Sequence, residues 1–243
     1  MKKVLIALVV IVVVIAVGVF YVLRNMNSFV ATIIEKEGSE VTRTSVSVSG
    51  VKLSLGDGRG SIKGLEIASP EGFEAKRAFS LDDITVDIDV KSLRDDPIVI
   101  DEIRIKAPVV YAEITEKGLS NIMELRKRVN DYGAGKAGHG GGKPGPANRI
   151  RIRKFIFEQG KIEVDASELG VEKRTIALPG ITLENLGGSS GAAPGEIARL
   201  IFLTLTSKAV SEVASSETSR LIEEKLGGSI KEKAKDLLDK IGN

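Results

Sequence analysis

Residues 84–106 read ITVDIDVKSLRDDPIVIDEIRIK, and apolar side chains occupy almost every second position at both ends of this segment. A period of two is typical of β-strands with one buried face. Asp95-Asp96-Pro97 lies between the two runs and is a turn signal, so the segment predicts two antiparallel strands. We expect the acidic row of the first strand to pair across the polar face with the basic row of the second. These rows are Asp83, Asp87 and Asp89 on one strand, and Arg104 and Lys106 on the other.

The same alternation extends toward the N-terminus but changes phase at two glycines. Val46 and Val48 are followed, after Gly50, by apolar residues at positions 51, 53 and 55, and a similar slip occurs around Gly64. A slip of one residue would turn every later side chain to the opposite face. Each glycine therefore predicts a β-bulge or kink, and kinks at matching places in paired strands would curve the sheet.

A second group of strands is predicted after residue 149. Apolar residues alternate through Ile150, Ile152, Phe155 and Phe157, and again on both sides of Pro179-Gly180. Together with the first group we expect about eight to ten strands, which side by side would span roughly 40–50 Å. The polar face of this group carries an arginine row that either faces the acidic row or water, or binds phosphate. This row is Arg149, Arg151 and Arg153.

The N-terminus predicts a membrane anchor. Val4 to Leu23 contains no charged residue, and twenty helical residues span roughly 30 Å, the thickness of the hydrocarbon core of a bilayer. A cleaved signal peptide and a buried soluble helix are the alternatives. Lys2 and Lys3 favour a cytoplasmic N-terminus, which in a bacterium would place residues 25–243 in the periplasm as a single-pass protein of the inner membrane.

Helices are predicted between and after the strands. Residues 27–39 form an amphipathic pattern typical of a helix that packs on the sheet or rests on a membrane surface. A helix capped by Ser120 continues to Val129, and helical patterns fill the C-terminus from Pro194 to Asn243. Residues 133–148 (GAGKAGHGGGKPGPAN) predict a flexible linker or loop.

Composition argues against most catalytic chemistry. The chain has no Cys, a single His (His139, among glycines), a net charge of +2 and 4% aromatic residues. This excludes thiol chemistry and disulfides, and gives no general field or stacking surface for nucleic acid. Aspartates two apart along a strand are too linear to cage a cation. We therefore expect no catalytic residues, metal site or cofactor, and the chain is not expected to be an enzyme.

The sequence thus predicts an α+β protein: a single N-terminal transmembrane helix, then a curved, mostly antiparallel β-sheet with flanking helices and a helical C-terminus. Its predicted parts are an anchor (1–24), a first sheet segment with helices (25–132), the linker (133–148), a second sheet segment (149–190) and C-terminal helices (191–243).

Three stretches behind the anchor carry a family resemblance. They are G-x-x-x-G-L-x-I-x-x-P-x-G-F (Gly60 to Phe73), I-D-E-I-R-I (Ile100 to Ile105) and the strand, turn and G-K-I-x-V unit (Phe155 to Val164). In this order, over residues 1–185, the chain resembles the AsmA-like family of bacterial envelope proteins. The resemblance implies kinship with bridge-like lipid-transfer proteins, in which a long bent sheet shelters acyl chains on an apolar concave face. It also implies a role in outer-membrane lipid homeostasis.

Two functions follow as expectations. In the first, an anchored periplasmic module shelters phospholipid acyl chains on its apolar sheet face, acting alone, as a homo-oligomer or with larger envelope proteins. In the second, the chain is a structural or adaptor protein whose apolar face is simply its core. An open face favours lipid, whereas a face covered by residues 194–243 favours the adaptor. The candidate lipid-facing residues are Val86, Ile88, Ile103, Ile105, Ile152 and Phe157.

Overall fold

A computed structural model describes residues 27–54, 56–138 and 149–226 of the 243-residue chain. The fold is α+β, with a mixed, open β-sheet and helices. The predicted anchor, residues 139–148 of the predicted linker and residues 227–243 of the predicted C-terminal helices lie outside the described residues. Within the described ranges, no helix has the length and apolar character needed to cross a bilayer.

Nine strands and four helices follow one another along the described chain. The strands are β1 (Val46–Ser54), β2 (Arg59–Ala68), β3 (Arg77–Ile88), β4 (Ile98–Lys106), β5 (Val109–Glu113), β6 (Ile150–Glu158), β7 (Gly160–Ala166), β8 (Val171–Leu178) and β9 (Ile181–Leu186). The helices are α1 (27–42), α2 (Asn121–Gly138), α3 (Pro194–Ser215) and α4 (Glu217–Leu226). Short 3-10 turns occupy Val90–Arg94 and Ser167–Leu169.

The nine strands form only six rows, because three pairs of strands continue each other end to end. β4 runs into β5, β6 into β7 and β8 into β9, so the rows lie in the order β1, β2, β3, β4/β5, β6/β7 and β9/β8. Pairing is antiparallel except between β4 and β6 and between β5 and β7, which are parallel. Six rows span about 29 Å. The expected width of 40–50 Å is therefore wrong, since it counted both halves of each kinked strand.

A single crease runs across all six rows where these strands change direction. The crease residues are Ser49, Gly64, Asp82, Ala107, Gln159 and Pro179, and none of them appears in the pairing ladder. Gly64, Ala107 and Gln159 have positive φ values of 57°, 48° and 58°. The irregularity predicted at Gly64 of β2 is present, and the neighbouring strand β1 is irregular at the same level, at Ser49. The apolar side chains consequently stay on one face on both sides of the crease.

Helix α1 covers the outer edge of β1 and runs antiparallel to it. The side chains of Ser39, Glu35 and Asn27 accept hydrogen bonds from the backbone N–H groups of Val46 (2.9 Å), Val48 (2.9 Å) and Leu53 (3.0 Å) respectively. These bonds satisfy groups that an edge strand leaves unpaired. They also fix the start of α1 beside the β1–β2 turn. We call this end of the sheet the near end, and the opposite end, at the β2–β3 loop, the far end.

Helices α2, α3 and α4 pack over the apolar face of the sheet. Leu125 and Val129 of α2 and Ile222 of α4 are fully buried, as are Phe157 of β6 and Ile162 of β7. Phe202 of α3 stacks at a tilt on Phe79 of β3, with ring centroids 5.4 Å apart. The face is therefore substantially covered by C-terminal helices, as a closed core would be.

The opposite, outer face carries ion pairs, but not those expected. The register does place Asp83 opposite Lys106 in β4, yet Arg104 binds Glu102 (2.9 Å) of its own strand and Glu158 (3.1 Å) of β6. The hydrogen bonds that the Arg104 guanidinium donates to Glu158 and Glu102 raise the pKa of Arg104. The competing carboxylate of Glu158 comes from β6, a predicted strand whose parallel pairing with β4 the sequence did not predict.

The arginine row also faces carboxylates. Arg153 contacts Asp89 (3.7 Å) and Asp101, and Arg149 binds Asp96 (3.0 Å). The exposed pairs of this row are worth at most about 1 kcal/mol each.

Candidate functional site

The six predicted lipid-facing residues lie together on the apolar face, on the near-end side of the crease. Val86 pairs with Ile103, and Ile105 pairs with Phe157. Ile105 (5% exposed), Ile152 (2%) and Phe157 (0%) are buried in the core, whereas Val86, Ile88 and Ile103 are half-buried. The register thus confirms that they share a surface. Their contact with lipid stays a prediction.

A cavity of about 620 Å³ lies on the same face beyond the crease, toward the far end. Its floor is formed by Val110 of β5 and Ile162 of β7, and its walls by Ile122 of α2, Val213 of α3 and Phe73 of the β2–β3 loop. The volume lies within the range of about 300–1,000 Å³ that is usual for small-molecule sites. None of the six predicted residues lines it.

The mouth of the cavity combines an exposed apolar residue with basic side chains. Leu119 is 58% exposed at the rim, and the exposed side chains of Lys117, Lys127 and Glu71 line the cavity beside it. Neither lysine makes an ion pair within the described part of the chain. The neighbouring Arg128 is bound to Glu124 through its Nε at 3.0 Å. An apolar interior with unpaired cations at its opening suits an amphiphile that has an anionic end.

Two buried polar side chains hold the walls of this cavity in place. Asn121, with no exposed surface, accepts a hydrogen bond from the Glu113 N–H (2.9 Å) and donates to the Tyr111 carbonyl (2.8 Å) and the Ser69 hydroxyl (3.0 Å). It thereby ties the start of α2 to the end of β5, where β5 no longer pairs with β3. Glu113 in turn accepts hydrogen bonds from the N–H groups of Glu74 and Ala75, which fixes the loop carrying Phe73.

A larger concavity of about 800 Å³ lies at the far end of the outer face, and both acidic and basic side chains line it. Lys173 binds Asp165 at 2.7 Å, and the Arg77 guanidinium lies 5.2 Å from the centre of the Tyr111 ring. Burial alone would raise the pKa of Asp165, but the hydrogen bonds from Lys173 and Ser167 outweigh it and lower that pKa. Lys76 and Arg174 also line this concavity and make no ion pair within the described residues, but its lining is a mixture of acidic and basic side chains without the apolar interior that an acyl chain requires.

No described group of three or more His, Cys, Asp or Glu residues is arranged to hold a metal ion.

Sequence reasoning missed the apolar cavity because its walls come from separate parts of the chain. Phe73 was noted only as the end of the G-x-x-x-G-L-x-I-x-x-P-x-G-F stretch, and the segment next to Leu119 only as a helix capped by Ser120. Whether these residues line one cavity depends on where α3 crosses the sheet, because α3 supplies another wall. Sequence periodicity does not predict that position. The one usable signal was the isolated Phe in a Gly- and Pro-containing loop.

Comparison with protein-family models gives no match to the chain, and the curated proteins give none either.

Proposed function

We propose that this chain is a membrane-anchored, non-enzymatic lipid-binding protein of the bacterial cell envelope. The uncharged run Val4 to Leu23 would anchor it in the inner membrane with the N-terminus cytoplasmic and residues 25–243 periplasmic. The resemblance to AsmA-like proteins supports a role in envelope lipid homeostasis. The observation that carries the proposal is the apolar cavity with Lys117 and Lys127 at its mouth.

The proposed ligand is an acyl chain with an anionic headgroup. Each buried methylene contributes about 0.8 kcal/mol, so even a partly inserted chain gains several kcal/mol from a site of this kind. The headgroup would lie between Lys117 and Lys127, both exposed beside the rim. Apolar burial tolerates many chain lengths, whereas the two cations favour phosphate or carboxylate over a neutral headgroup.

A structural adaptor is the second candidate, and one observation favours it. Helices α3 and α4 cover much of the sheet face on which an open groove would have to lie, as shown by the buried Ile197, Leu205 and Ile222. In this case the apolar face is core, and the chain would bind proteins and no lipid.

Native mass spectrometry of the full chain, purified from membranes in mild detergent, separates the two candidates. We expect co-purified phospholipid or fatty acid in the wild type and less of it in Val210→Trp, because Val210 lines the cavity and an indole there would occupy part of the space that an acyl chain needs. Leu200→Trp is the matched control, since Leu200 is exposed on the same helix and away from the cavity. A lipid-free wild type, or equal lipid in both variants, would contradict the proposal.

Charge reversal at the mouth tests the choice of headgroup. The double variant Lys117→Glu/Lys127→Glu is expected to lose phosphatidylglycerol binding while retaining the folded state, which circular dichroism would report. Lys52→Glu/Lys63→Glu makes the same change of charge at exposed positions of β1 and β2, and should bind like wild type. Equal losses in both double variants would show a general charge effect instead.

A further inference from the structure

Exposed apolar side chains are concentrated toward the near end of the sheet. Six large apolar residues are exposed in the part of the chain that the structure describes, and four of them are Phe29, Ile33, Val90 and Leu93. Phe29 (65%) and Ile33 (43%) lie in the first two turns of α1. Val90 (42%) and Leu93 (37%) belong to the 3-10 turn after β3. Two pairs of exposed apolar side chains at the same end of a sheet indicate a candidate interaction surface.

The 3-10 turn is amphipathic and firmly held. Residues three apart eclipse one another in a 3-10 helix, so Val90 and Leu93 share one side, and Lys91 and Arg94 share another. The Ser92 hydroxyl donates to the Asp89 carbonyl (2.7 Å) and accepts from the Val99 N–H (2.8 Å), which ties the turn to β4. The turn therefore presents its apolar side in a fixed position.

The short chain segment between Leu23 and Asn27 limits how far the near end can lie from a bilayer. Asn27, the first described residue, is bound to the Leu53 N–H at the near end. Only Arg24, Asn25 and Met26 separate it from Leu23, the last residue of the uncharged run. Four peptide steps reach at most about 14 Å. If the run occupies a bilayer, the near end of the sheet cannot lie farther than this from the bilayer surface.

We propose that the near end rests on the lipid bilayer, with Val90 and Leu93 inserted at the boundary between headgroups and acyl chains. Lys91 and Arg94, which make no ion pair within the described ranges, would contact the phosphate groups. Phe29 and Ile33 flank this contact on α1. The inference rests on the proposed anchoring, but it adds a second, independent membrane contact and a defined orientation.

This orientation directs the cavity away from the anchoring membrane. β3 has 12 residues and runs from the far end to the near end, which corresponds to about 40 Å. The cavity mouth at Leu119 lies toward the far end, beside the β2–β3 loop. Lipid would therefore enter or leave the cavity well clear of the bilayer that holds the protein.

Single cysteines test this orientation, because the chain has none of its own. Leu93→Cys and Leu119→Cys, in separate full-length variants, would be labelled with an environment-sensitive fluorophore and reconstituted in phosphatidylethanolamine–phosphatidylglycerol vesicles. The vesicles would contain a nitroxide-labelled transmembrane peptide, a quencher that stays in the bilayer and is too large to enter the cavity. We expect strong quenching at position 93 and none at position 119. Both residues are exposed apolar leucines, so the two labels are matched. Val90→Cys provides a second near-end position if one variant folds poorly.

Either of two results would overturn the inference: no quenching at positions 90 and 93, or equal quenching at positions 93 and 119. Flotation of the same vesicles reports anchoring separately, and lipid content by mass spectrometry reports the cavity. A protein that floats and carries lipid but leaves position 93 unquenched would refute the docking surface alone. A protein that does not float would refute the anchoring on which the inference rests.

Discussion

Arg126 of α2 lies between α2 and α3 with 5% of its surface exposed. Its Nη1 donates to the Ser207 hydroxyl oxygen at 2.6 Å, but its buried Nε has no partner. Burial lowers the pKa of Arg126, and none of the ion pairs in the described residues includes it. A buried guanidinium without a carboxylate is a local cost to the fold.

Replacing Arg126 with an apolar residue of similar length should stabilise the protein. We expect Arg126→Met to raise the free energy of unfolding by about 1–3 kcal/mol, because desolvation of the charge is removed. Urea unfolding of the full chain in detergent measures this. Arg128→Met, on the same helix, loses a half-buried ion pair with Glu124 and a hydrogen bond to the Arg43 carbonyl, so it should lower the free energy of unfolding by about 1 kcal/mol, a change of opposite sign. A destabilised Arg126→Met would show that the guanidinium has a stabilising partner.

Asp165 makes stability depend on acid pH. Its carboxylate accepts hydrogen bonds from Lys173 Nζ and from the Ser167 hydroxyl, and its folded pKa lies below the usual value near 3.9. A depressed folded pKa contributes stability that is present above the unfolded pKa and is lost as the pH falls through the folded pKa.

Asp165→Asn should therefore have a lower free energy of unfolding than wild type near pH 7. The difference between the two proteins should become smaller below about pH 4. Urea titrations over this pH range give the comparison. Asp83→Asn removes an exposed carboxylate from the same outer face, where Asp83 makes no ion pair with any described residue, and serves as the control. A difference in free energy of unfolding that stays constant with pH would contradict the link between the pKa of Asp165 and stability.

At the scale of elements, the crease determines how each strand is built. Gly64 has a φ of 57°, and a Cβ placed there would lie 2.3 Å from Ser49 Oγ. Gly50, in the neighbouring row, has open space around the same position. The two glycines look equivalent in sequence, since both accompany a phase slip, but only Gly64 requires a left-handed backbone.

Gly64→Ala is expected to lower the free energy of unfolding by about 1–3 kcal/mol, because an L side chain is strained at positive φ and meets Ser49. Gly50→Ala should lie within about 0.5 kcal/mol of wild type. Chemical denaturation of both variants measures the difference. Equal stabilities would mean that the crease does not depend on the left-handed residue.

For the whole molecule, the sequence predicted the strands better than their arrangement. Alternation identified the apolar face, and the slips at Gly50 and Gly64 located one side of the crease. Alternation did not predict the parallel pairing of β4 with β6, because the two strands are separated by more than forty residues of sequence. Periodicity is a local signal and carries no information about which distant strands become neighbours.

The candidate site was less predictable than the fold. Val86 and Ile103 were correctly placed on one surface, because cross-strand register follows from the hydrophobic pattern. The cavity near Phe73 and Val213 was not found, because it is the space left between a loop, two helices and the sheet. Such a space depends on helix position to within a few ångströms.

The capped edge of β1 has a consequence for assembly. Asn27, Glu35 and Ser39 occupy the hydrogen-bonding groups of β1, whereas the last row, β9/β8, has no further strand beside it among the described residues. Growth of a continuous sheet from copy to copy requires two free edges per copy. Two copies that pair through the open edge of the row β9/β8 would leave no free edge, so assembly would end at a dimer. Through its described strands, a chain built in this way is therefore expected to form a dimer and not a continuous sheet of many copies.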